Sequence, residues 1–224
     1  MIILALEQST AQNSAVIADD GHILAEEIWS DMHRRNQSLF PALETLIRSA
    51  GITLTDIELF AAGIGPGAFS GIRVSLICIR TLAMPAHRPV KCVSSGAALA
   101  HPFLQEQPTR RVRIAGDARR GVWWTALFDN SRPETDPAAA YSLVAPDDFS
   151  TFLKPDDLIV SPDWDRIGSA LTANCPDHVT LIQKPVHPHA RDVARLAATA
   201  SQSITDPAIP ITPVYLHPAV VASR

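Results

Sequence analysis

Residues 59–73 read LFAAGIGPGAFSGIR, and they lead from an apolar strand into an apolar helix through a turn rich in glycine. Four glycines fall within nine residues around Pro66, as is typical of a tight strand-to-helix turn. Backbone N–H groups at the start of a helix favour a bound anion, but glycine in such a turn also serves simply to permit positive φ. Both interpretations stay open. A Walker A phosphate loop is excluded, because no Lys follows the glycines.

The helix after this glycine loop, predicted over residues 70–83, is apolar around most of its circumference. Ser70 is the predicted N-cap and Pro85 the stop. One stripe consists of Ile72, Leu76, Ile79 and Ala83, while other faces carry Val74, Ile77 and Cys78. Either the helix is sandwiched inside the domain, or another chain covers its second face. We favour the second interpretation, an interface shared between chains.

The sequence before the loop completes a βββαβα unit. An apolar run at residues 2–6 indicates a buried strand, and an Asp-Asp-Gly turn at residues 19–21 joins two further strands. Apolar residues with a 3.6-residue period predict a helix over residues 36–50, followed by Gly51.

The same pattern begins again near Arg111. In both places an acid, Glu7 or Asp117, follows a short apolar strand, and an Asp comes twelve residues later. This repetition predicts an α/β fold built from duplicated units in two subdomains, residues 1–103 and 104–224. The second subdomain is expected to be smaller, proline-rich and less regular, with a final helix over residues 191–203 that returns to the core.

Composition limits the classes of function. The chain has 224 residues, of which 46% are hydrophobic, and a formal net charge of −4 that gives no general attraction to nucleic acid or anionic membranes. Five arginines within residues 110–120 fit either a solvated linker and hairpin tip, which we favour, or a local phosphate or RNA contact. The three cysteines lack metal-binding spacing, and no apolar run approaches a membrane span. We therefore expect a soluble, intracellular protein with reduced, buried thiols.

Glu7 and Asp117 are the candidate catalytic or metal-binding acids. Folds of the ribonuclease-H and actin type keep acids at the ends of their first strands to hold a metal or a metal-bound water. The alternative is that each carboxylate caps a turn by accepting backbone hydrogen bonds. No histidine pattern of the HxxxH type and no GxSxG elbow is present, so no metal site from histidines alone and no serine hydrolase is predicted.

Four motifs, in order along the chain, resemble those of one family. Residues 3–10, ILALEQST, are similar to its opening ILAIDTAT, with Glu7 where Asp is usual. Residues 65–73, GPGAFSGIR, resemble its GPGSFTGLR signature. Residues 115–121, AGDARRG, resemble its DAR hairpin, and residues 213–216, PVYL, its C-terminal PVYLR. The chain is thereby identified as a member of the TsaB (YeaZ) family, often labelled glycoprotease-like.

The resemblance implies an actin-like (ASKHA) fold of the ribonuclease-H-like type. It also implies a non-catalytic role, in the cytoplasm, in making the threonylcarbamoyladenosine of tRNA. Family members pair with the catalytic paralogue TsaD, are joined by the ATPase TsaE, meet tRNA through the complex, and dimerise when alone. No cofactor is expected to be tightly bound, although ATP or ADP at the interface of the complex fits this role, and no membrane contact is implied.

The family also suggests site residues. Pairing through the first two helices makes the predicted interface Leu39, Leu43, Leu46, Ile72, Leu76, Ile79 and Ala83. The residues predicted to contact an anion or nucleotide are Gly65, Gly67, Ser70, Gly71, Arg73 and Asp117.

Two other classes of function remain as alternatives. One is a free-standing enzyme, either a metal-dependent peptidase or a sugar-kinase-like ATP phosphotransferase that uses Glu7, Asp117 and the glycine loop. The other is a plain RNA-binding module, in which Arg119 and Arg120 contact phosphates and binding depends steeply on salt.

Overall fold

The structure is a computed structural model that describes residues 1–30, 39–130, 141–199 and 211–216. The first unit consists of β1 (Ile2–Glu7), β2 (Gln12–Asp19), β3 (His22–Ser30), α1 (Leu39–Ala50), β4 (Leu59–Gly63), α2 (Phe69–Ala83), β5 (Val90–Val93) and α3 (Ser95–Glu106). The second consists of β6 (Arg111–Asp117), β7 (Trp123–Phe128), β8 (Tyr141–Val144), β9 (Asp157–Ser161), α4 (Trp164–Asn174), β10 (Thr180–Pro185) and α5 (Ala190–Thr199).

The two units have the same sheet topology. The first sheet has the strand order β3-β2-β1-β4-β5, and the second has β8-β7-β6-β9-β10. In each sheet the first three strands of the unit pair antiparallel and the other two add in parallel. A 3₁₀ helix, Pro146–Phe152, occupies in the second unit the place that α1 has in the first. The predicted duplicated, actin-like α/β fold is confirmed.

Helices cover both faces of the first sheet, which explains the unbroken apolar run of β1. Leu4 and Leu6 face the core formed with α1 and α2, while Ile3 and Ala5 face Val193 and its neighbours on α5. A strand buried on both faces needs apolar residues at every position.

The helix α3 connects the units and lies against both cores. Ala98 packs in the core of the first sheet, whereas Leu99 and Ala100 pack in the core of the second. The predicted boundary between residues 103 and 104 therefore falls inside this helix.

Several predicted details are wrong. The helix α2 begins at Phe69 with Ala68 at the N-cap, so Ser70 lies inside the first turn and does not cap it. Within the described residues the second sheet has five paired strands like the first, although the second half was expected to be less regular. Residues 36–38 of the first predicted helix and residues 200–203 of the last lie outside the described residues.

One segment within the described ranges, Phe69–Ala86, is long and apolar enough to cross a membrane by length and composition. This corrects the expectation that no apolar run approaches that length. Core helices of globular proteins pass the same test, and Ile72, Leu76 and Ile79 of this segment pack in the core of the first sheet.

Candidate functional site

Glu7, the last residue of β1, is a fully buried carboxylate with two hydrogen-bond donors. Its Oε1 accepts from the Ser9 N–H at 2.7 Å, and its Oε2 accepts from the Ser95 hydroxyl at 2.8 Å. Burial raises the pKa of Glu7, while the hydrogen bonds from Ser9 and Ser95 oppose that shift. Gly63 makes room for this side chain, because a Cβ there would overlap Glu7 Oε2. These contacts support the interpretation in which the Glu7 carboxylate caps a turn, rather than the one in which it holds a metal.

The glycine loop packs directly on the turn after β1. The Ala68 N–H donates to the Ser9 carbonyl at 2.7 Å. A Cβ at Gly67 would overlap that same carbonyl oxygen, and one at Gly71 would overlap the carbonyl of Gln8. Close backbone approach thus accounts for these two glycines without a ligand.

Asp117 repeats the Glu7 turn in the second unit. Its Oδ1 accepts from the Arg119 N–H at 2.8 Å, two residues ahead, as Glu7 does from Ser9. Its Oδ2 also lies 3.2 Å from Arg119 Nη1 and 3.2 Å from Arg166 Nε. Asp117 is therefore engaged by two guanidinium groups as well as by its own turn.

Asp163 extends this charged cluster from the start of α4. It accepts from the Asp117 N–H at 2.8 Å and pairs with Arg166. Burial raises the pKa of Asp163, and the nearby Arg166 opposes the shift. Nothing in the sequence marked Asp163 or Arg166, because 46 residues separate Asp163 from Asp117.

A cleft of about 1070 Å³ lies between the two units. The first unit lines it with Thr10, Gly67 and Arg73 among others, and the second with residues around Asp117. The guanidinium groups on its walls belong to Arg73, Arg119, Arg120 and Arg166, and the carboxylates to Asp117 and Asp163.

Only part of the predicted anion site is brought together in this cleft. Gly67, Arg73 and Asp117 line it, whereas Gly65, Ser70 and Gly71 are not among its lining residues. Gly65 instead pairs with Ser95, whose hydroxyl accepts from the Gly65 N–H at 3.0 Å and whose own N–H donates to the Gly65 carbonyl at 3.0 Å.

Arg73 is held at the mouth of the cleft by aromatic residues. Its guanidinium lies over the Phe69 ring, 4.1 Å from the centroid, and its Nε donates to the Tyr215 hydroxyl at 3.1 Å. The segment 211–216 reaches this place because the Val214 N–H donates to the Ile64 carbonyl at 2.9 Å. The C-terminal motif PVYL therefore forms part of the cleft.

The arginines of residues 110–120 divide by role. Arg111 Nε lies 2.6 Å from Asp157 Oδ1, and Arg113 Nε lies 3.6 Å from Asp157 Oδ2. Because Asp157 is fully buried, these two arginines support the second sheet. Arg119 and Arg120 occupy the β6–β7 turn at φ 67° and 55°, and both line the cleft.

The predicted interface residues are placed in the interior. All seven are at most 5% exposed and belong to the core of the first sheet: Leu39, Leu43, Leu46, Ile72, Leu76, Ile79 and Ala83. This corrects the residue assignment, because the main apolar stripe of each helix covers the sheet of its own chain.

A second stripe of α2 faces outward instead. It consists of Phe69, Arg73, Ile77 and Met84, and we call it the outer stripe. Ile77 is 63% exposed and Phe69 55%, while Phe40 at the start of α1 is 69% exposed. The spacing of four, four and seven residues groups these residues on one face of the helix, but it does not show whether the sheet covers that face.

The described residues contain no group of three or more His, Cys, Asp or Glu side chains suited to a metal ion. The three cysteines are free; Cys78 is buried, and Cys92 and Cys175 are half-buried. Burial raises the pKa of Cys92 to about 12 and of Cys78 to about 11, which disfavours the thiolate.

The sequence matches one protein family over most of its length. Residues 9–210 match the family described as TsaD, tRNA N6-adenosine threonylcarbamoyltransferase. The tRNA threonylcarbamoyladenosine biosynthesis protein TsaB of Escherichia coli (strain K12) is 33% identical over 126 residues, which cover 55% of this chain and 54% of that protein. The TsaB protein of Buchnera aphidicola subsp. Schizaphis graminum is 24% identical over 69% of this chain and 73% of its own length. The chain spans about half the length of the first curated relatives it matches.

Solved structures agree with the fold. A crystal structure of an uncharacterized protein with similarity to peptidase YEAZ from Pseudomonas aeruginosa has a TM-score of 0.80 at 25% identity, covering 96% of this chain and 99% of that one. YeaZ from Pseudomonas aeruginosa has a TM-score of 0.73 at 27% identity, covering 88% of this chain and 90% of that one.

Proposed function

Because the chain belongs to the TsaD family of tRNA N6-adenosine threonylcarbamoyltransferases, and within it to the TsaB (YeaZ) group, we propose that it functions in the biosynthesis of threonylcarbamoyladenosine in tRNA. Its role there is that of a non-catalytic subunit, which pairs with a catalytic TsaD subunit and stabilises it. The names of the TsaB relatives support the pathway, and the contacts of the two strand-end acids support the non-catalytic role.

Both strand-end acids are engaged by groups of their own chain, which supports a non-catalytic role. A general base or metal ligand must present a carboxylate to the reacting groups. Glu7 is fully buried and bonded to Ser9 and Ser95, and Asp117 is paired with Arg119 and Arg166. The same contacts argue against the alternatives of a metal-dependent peptidase and a sugar-kinase-like phosphotransferase.

The outer stripe of α2 is the surface through which pairing is proposed. The observation that carries this step is Ile77, which lies in the middle of a 15-residue helix and is 63% exposed. Large apolar side chains grouped on one exposed face are typical of protein interfaces. Phe69 lies on the same stripe, eight residues before Ile77, and is also exposed, so this face is proposed in place of the buried residues named from the sequence.

The rest of the assembly is proposed on the same basis. The ATPase TsaE binds to the pair, and tRNA is bound by the complex. In the cytoplasm, the isolated chain forms a homodimer through the same stripe. No cofactor is tightly bound by this subunit, and ATP or ADP binds where the subunits meet.

Calorimetry with the catalytic subunit of the same organism tests the proposal. Ile77→Glu is expected to weaken pairing at least tenfold, because it places a charge in an apolar interface. Leu143→Glu is the matched control, since Leu143 is 42% exposed on β8 of the other unit, and it is expected to bind like the wild type. Wild-type affinity of both Ile77→Glu and Phe69→Glu would overturn the proposed surface.

Mass spectrometry of tRNA nucleosides tests the function itself. The catalytic subunit with its other partners is expected to form threonylcarbamoyladenosine with the wild-type chain and much less with Ile77→Glu. Equal product with and without this chain would overturn the proposed function.

A further inference from the structure

The connection from β10 to α5, residues 186–189, carries the chain from the second unit back to the first, and we call it the strap. At its start the Val186 N–H donates to the Ser161 carbonyl of β9 at 3.0 Å. At its end the Ala190 N–H donates to the Ser14 hydroxyl of β2 at 2.8 Å. Contacts of the strap therefore bear on how the two units are held together.

His189, the last residue of the strap, leads directly into α5. Its carbonyl accepts from the N–H groups of Asp192 and Val193, at 3.0 and 3.2 Å, and these are the first hydrogen bonds of the helix. The helix then covers one face of the first sheet, where Val193 packs in one core with Ile3 and Ala5. A change at His189 therefore acts directly on the docking of α5.

The His189 ring accepts a hydrogen bond that its protonated form cannot accept. Its Nε2 lies 3.3 Å from Nε2 of Gln12 on β2. Because the amide nitrogen of Gln12 only donates, His189 Nε2 is the acceptor, and the ring proton lies on Nδ1. That Nδ1 atom is buried and has no hydrogen-bond partner among the described residues. Protonation of Nε2 would bring two donors face to face.

The charges nearest this ring favour its neutral form as well. Burial lowers the pKa of His189, and the nearby Arg191, whose Nε lies 3.0 Å from Glu26 on β3, lowers it further. A charge on the ring would also lie at the positive end of α5. Asp192 opposes the shift, but its carboxylate already lies 2.8 Å from Nδ1 of His101 on α3.

The other histidine of the strap, His187, has a different hydrogen bond. Its Nδ1 lies 3.1 Å from the hydroxyl oxygen of Thr10, and that hydroxyl donates to the Gln12 carbonyl, so His187 is the donor. A donor keeps its hydrogen bond when the ring gains a proton. Burial lowers the pKa of His187, whereas Asp163 and Asp165 on the second unit oppose this shift. We therefore assign the response to acid to His189.

We propose that the strap is an acid-released latch, in which protonation of His189 breaks its contact with Gln12 and undocks the start of α5 from β2. The pKa of His189 in the folded protein lies below its ordinary value of 6.5. The stabilisation is therefore fully present above about pH 6.5 and is lost as the pH falls through the folded pKa. This inference does not depend on the proposed pairing with a catalytic subunit, because every group of the latch lies in this chain.

Hydrogen exchange of the full-length chain at about pH 7.5 and about pH 5.5, expressed as protection factors, tests the latch. Protection of residues 190–199 is expected to fall about threefold or more in acid, while protection of residues 39–50 stays constant. His189→Gln keeps an acceptor for the Gln12 amide but does not titrate, so its protection should not depend on pH. His178→Gln is the matched control, because His178 is exposed before β10, and it should lose protection in acid as the wild type does.

Gln12→Glu separates the latch from a general effect of acid. A carboxylate at this position accepts from the protonated ring, so residues 190–199 should stay protected at about pH 5.5. NMR of the ring nitrogens of the wild type reports the tautomer of His189, and this measurement requires no variant to fold. A proton on Nε2 at neutral pH, constant protection of residues 190–199 in the wild type, or an unchanged loss in His189→Gln would overturn the proposal.

Discussion

The hydroxyl of Ser95 donates a 2.8 Å hydrogen bond to the carboxylate of Glu7, a residue 88 positions earlier in the chain. The same hydroxyl accepts from the Gly65 N–H at 3.0 Å. One serine at the start of α3 thereby fixes the end of β1 and the glycine loop together. The acid that a kinase-like protein would use for chemistry is here part of the framework.

Ser95→Ala is expected to destabilise the protein. It leaves Glu7 Oε2 buried without this donor, which costs about 1–3 kcal/mol of unfolding free energy. Urea unfolding followed by circular dichroism measures the change. Ser70→Ala, at an exposed position of α2, serves as control and should change little. A loss of less than about 0.5 kcal/mol for Ser95→Ala would mean that Glu7 finds another donor.

Glu7→Gln is expected to alter how stability depends on pH. The pKa of Glu7 in the folded protein is raised above its ordinary value of 4.5 by burial. The stability from this group is therefore fully present below about pH 4.5 and is lost as the pH rises through the folded pKa.

The unfolding free energy of the wild type should accordingly fall, relative to Glu7→Gln, as the pH rises above about 4.5. Urea unfolding at several pH values measures this difference. Glu44→Gln, a change at a side chain that is 76% exposed, is the control and should leave the pH profile unchanged. Parallel profiles for wild type and Glu7→Gln would contradict the assigned shift.

Gly63→Ala is expected to cost about 1–3 kcal/mol or more, because its Cβ would overlap Glu7 Oε2 in a packed interior. Shortening the acid should relieve the clash, so the double variant Gly63→Ala with Glu7→Asp should be more stable than Gly63→Ala alone. Thermal unfolding of the two single variants and the double variant measures this coupling. Additive losses would show that the two positions are independent.

Ile79→Glu and Ile77→Glu should separate folding from pairing. Ile79 is fully buried, so a charge there is expected to cost several kcal/mol and to prevent cooperative folding at ordinary temperature. Ile77 is 63% exposed, so its replacement should change stability by about 0.5 kcal/mol or less. Thermal melts of both variants check the assignment, and a folded Ile79→Glu protein would contradict it.

Much of the fold was predictable from local pattern. The apolar run of β1, the helical period before Gly51 and the repeated acid-to-Asp spacing are short-range signals, and they indicate a duplicated unit. The N-cap of α2 was not predictable in this way. Serine is favoured at N-caps, but Ser70 is the second residue of the helix and Ala68 occupies the N-cap.

The cleft and the outer stripe required three-dimensional information. Ile77 and Ile79 are the same apolar residue type on different faces of α2. Only the position of the sheet decides that Ile79 is buried and Ile77 exposed. Likewise, Arg166 meets Asp117 because β9 pairs with β6, a contact between distant segments that no local motif encodes.

The position of α3 has a consequence for how the molecule comes apart. Consecutive residues of this helix, Ala98 and Leu99, are buried in the interiors of opposite halves. If either unit unfolds, α3 loses its packing there and apolar residues that are buried in the other unit become exposed. We therefore expect a single cooperative melting transition for the whole chain.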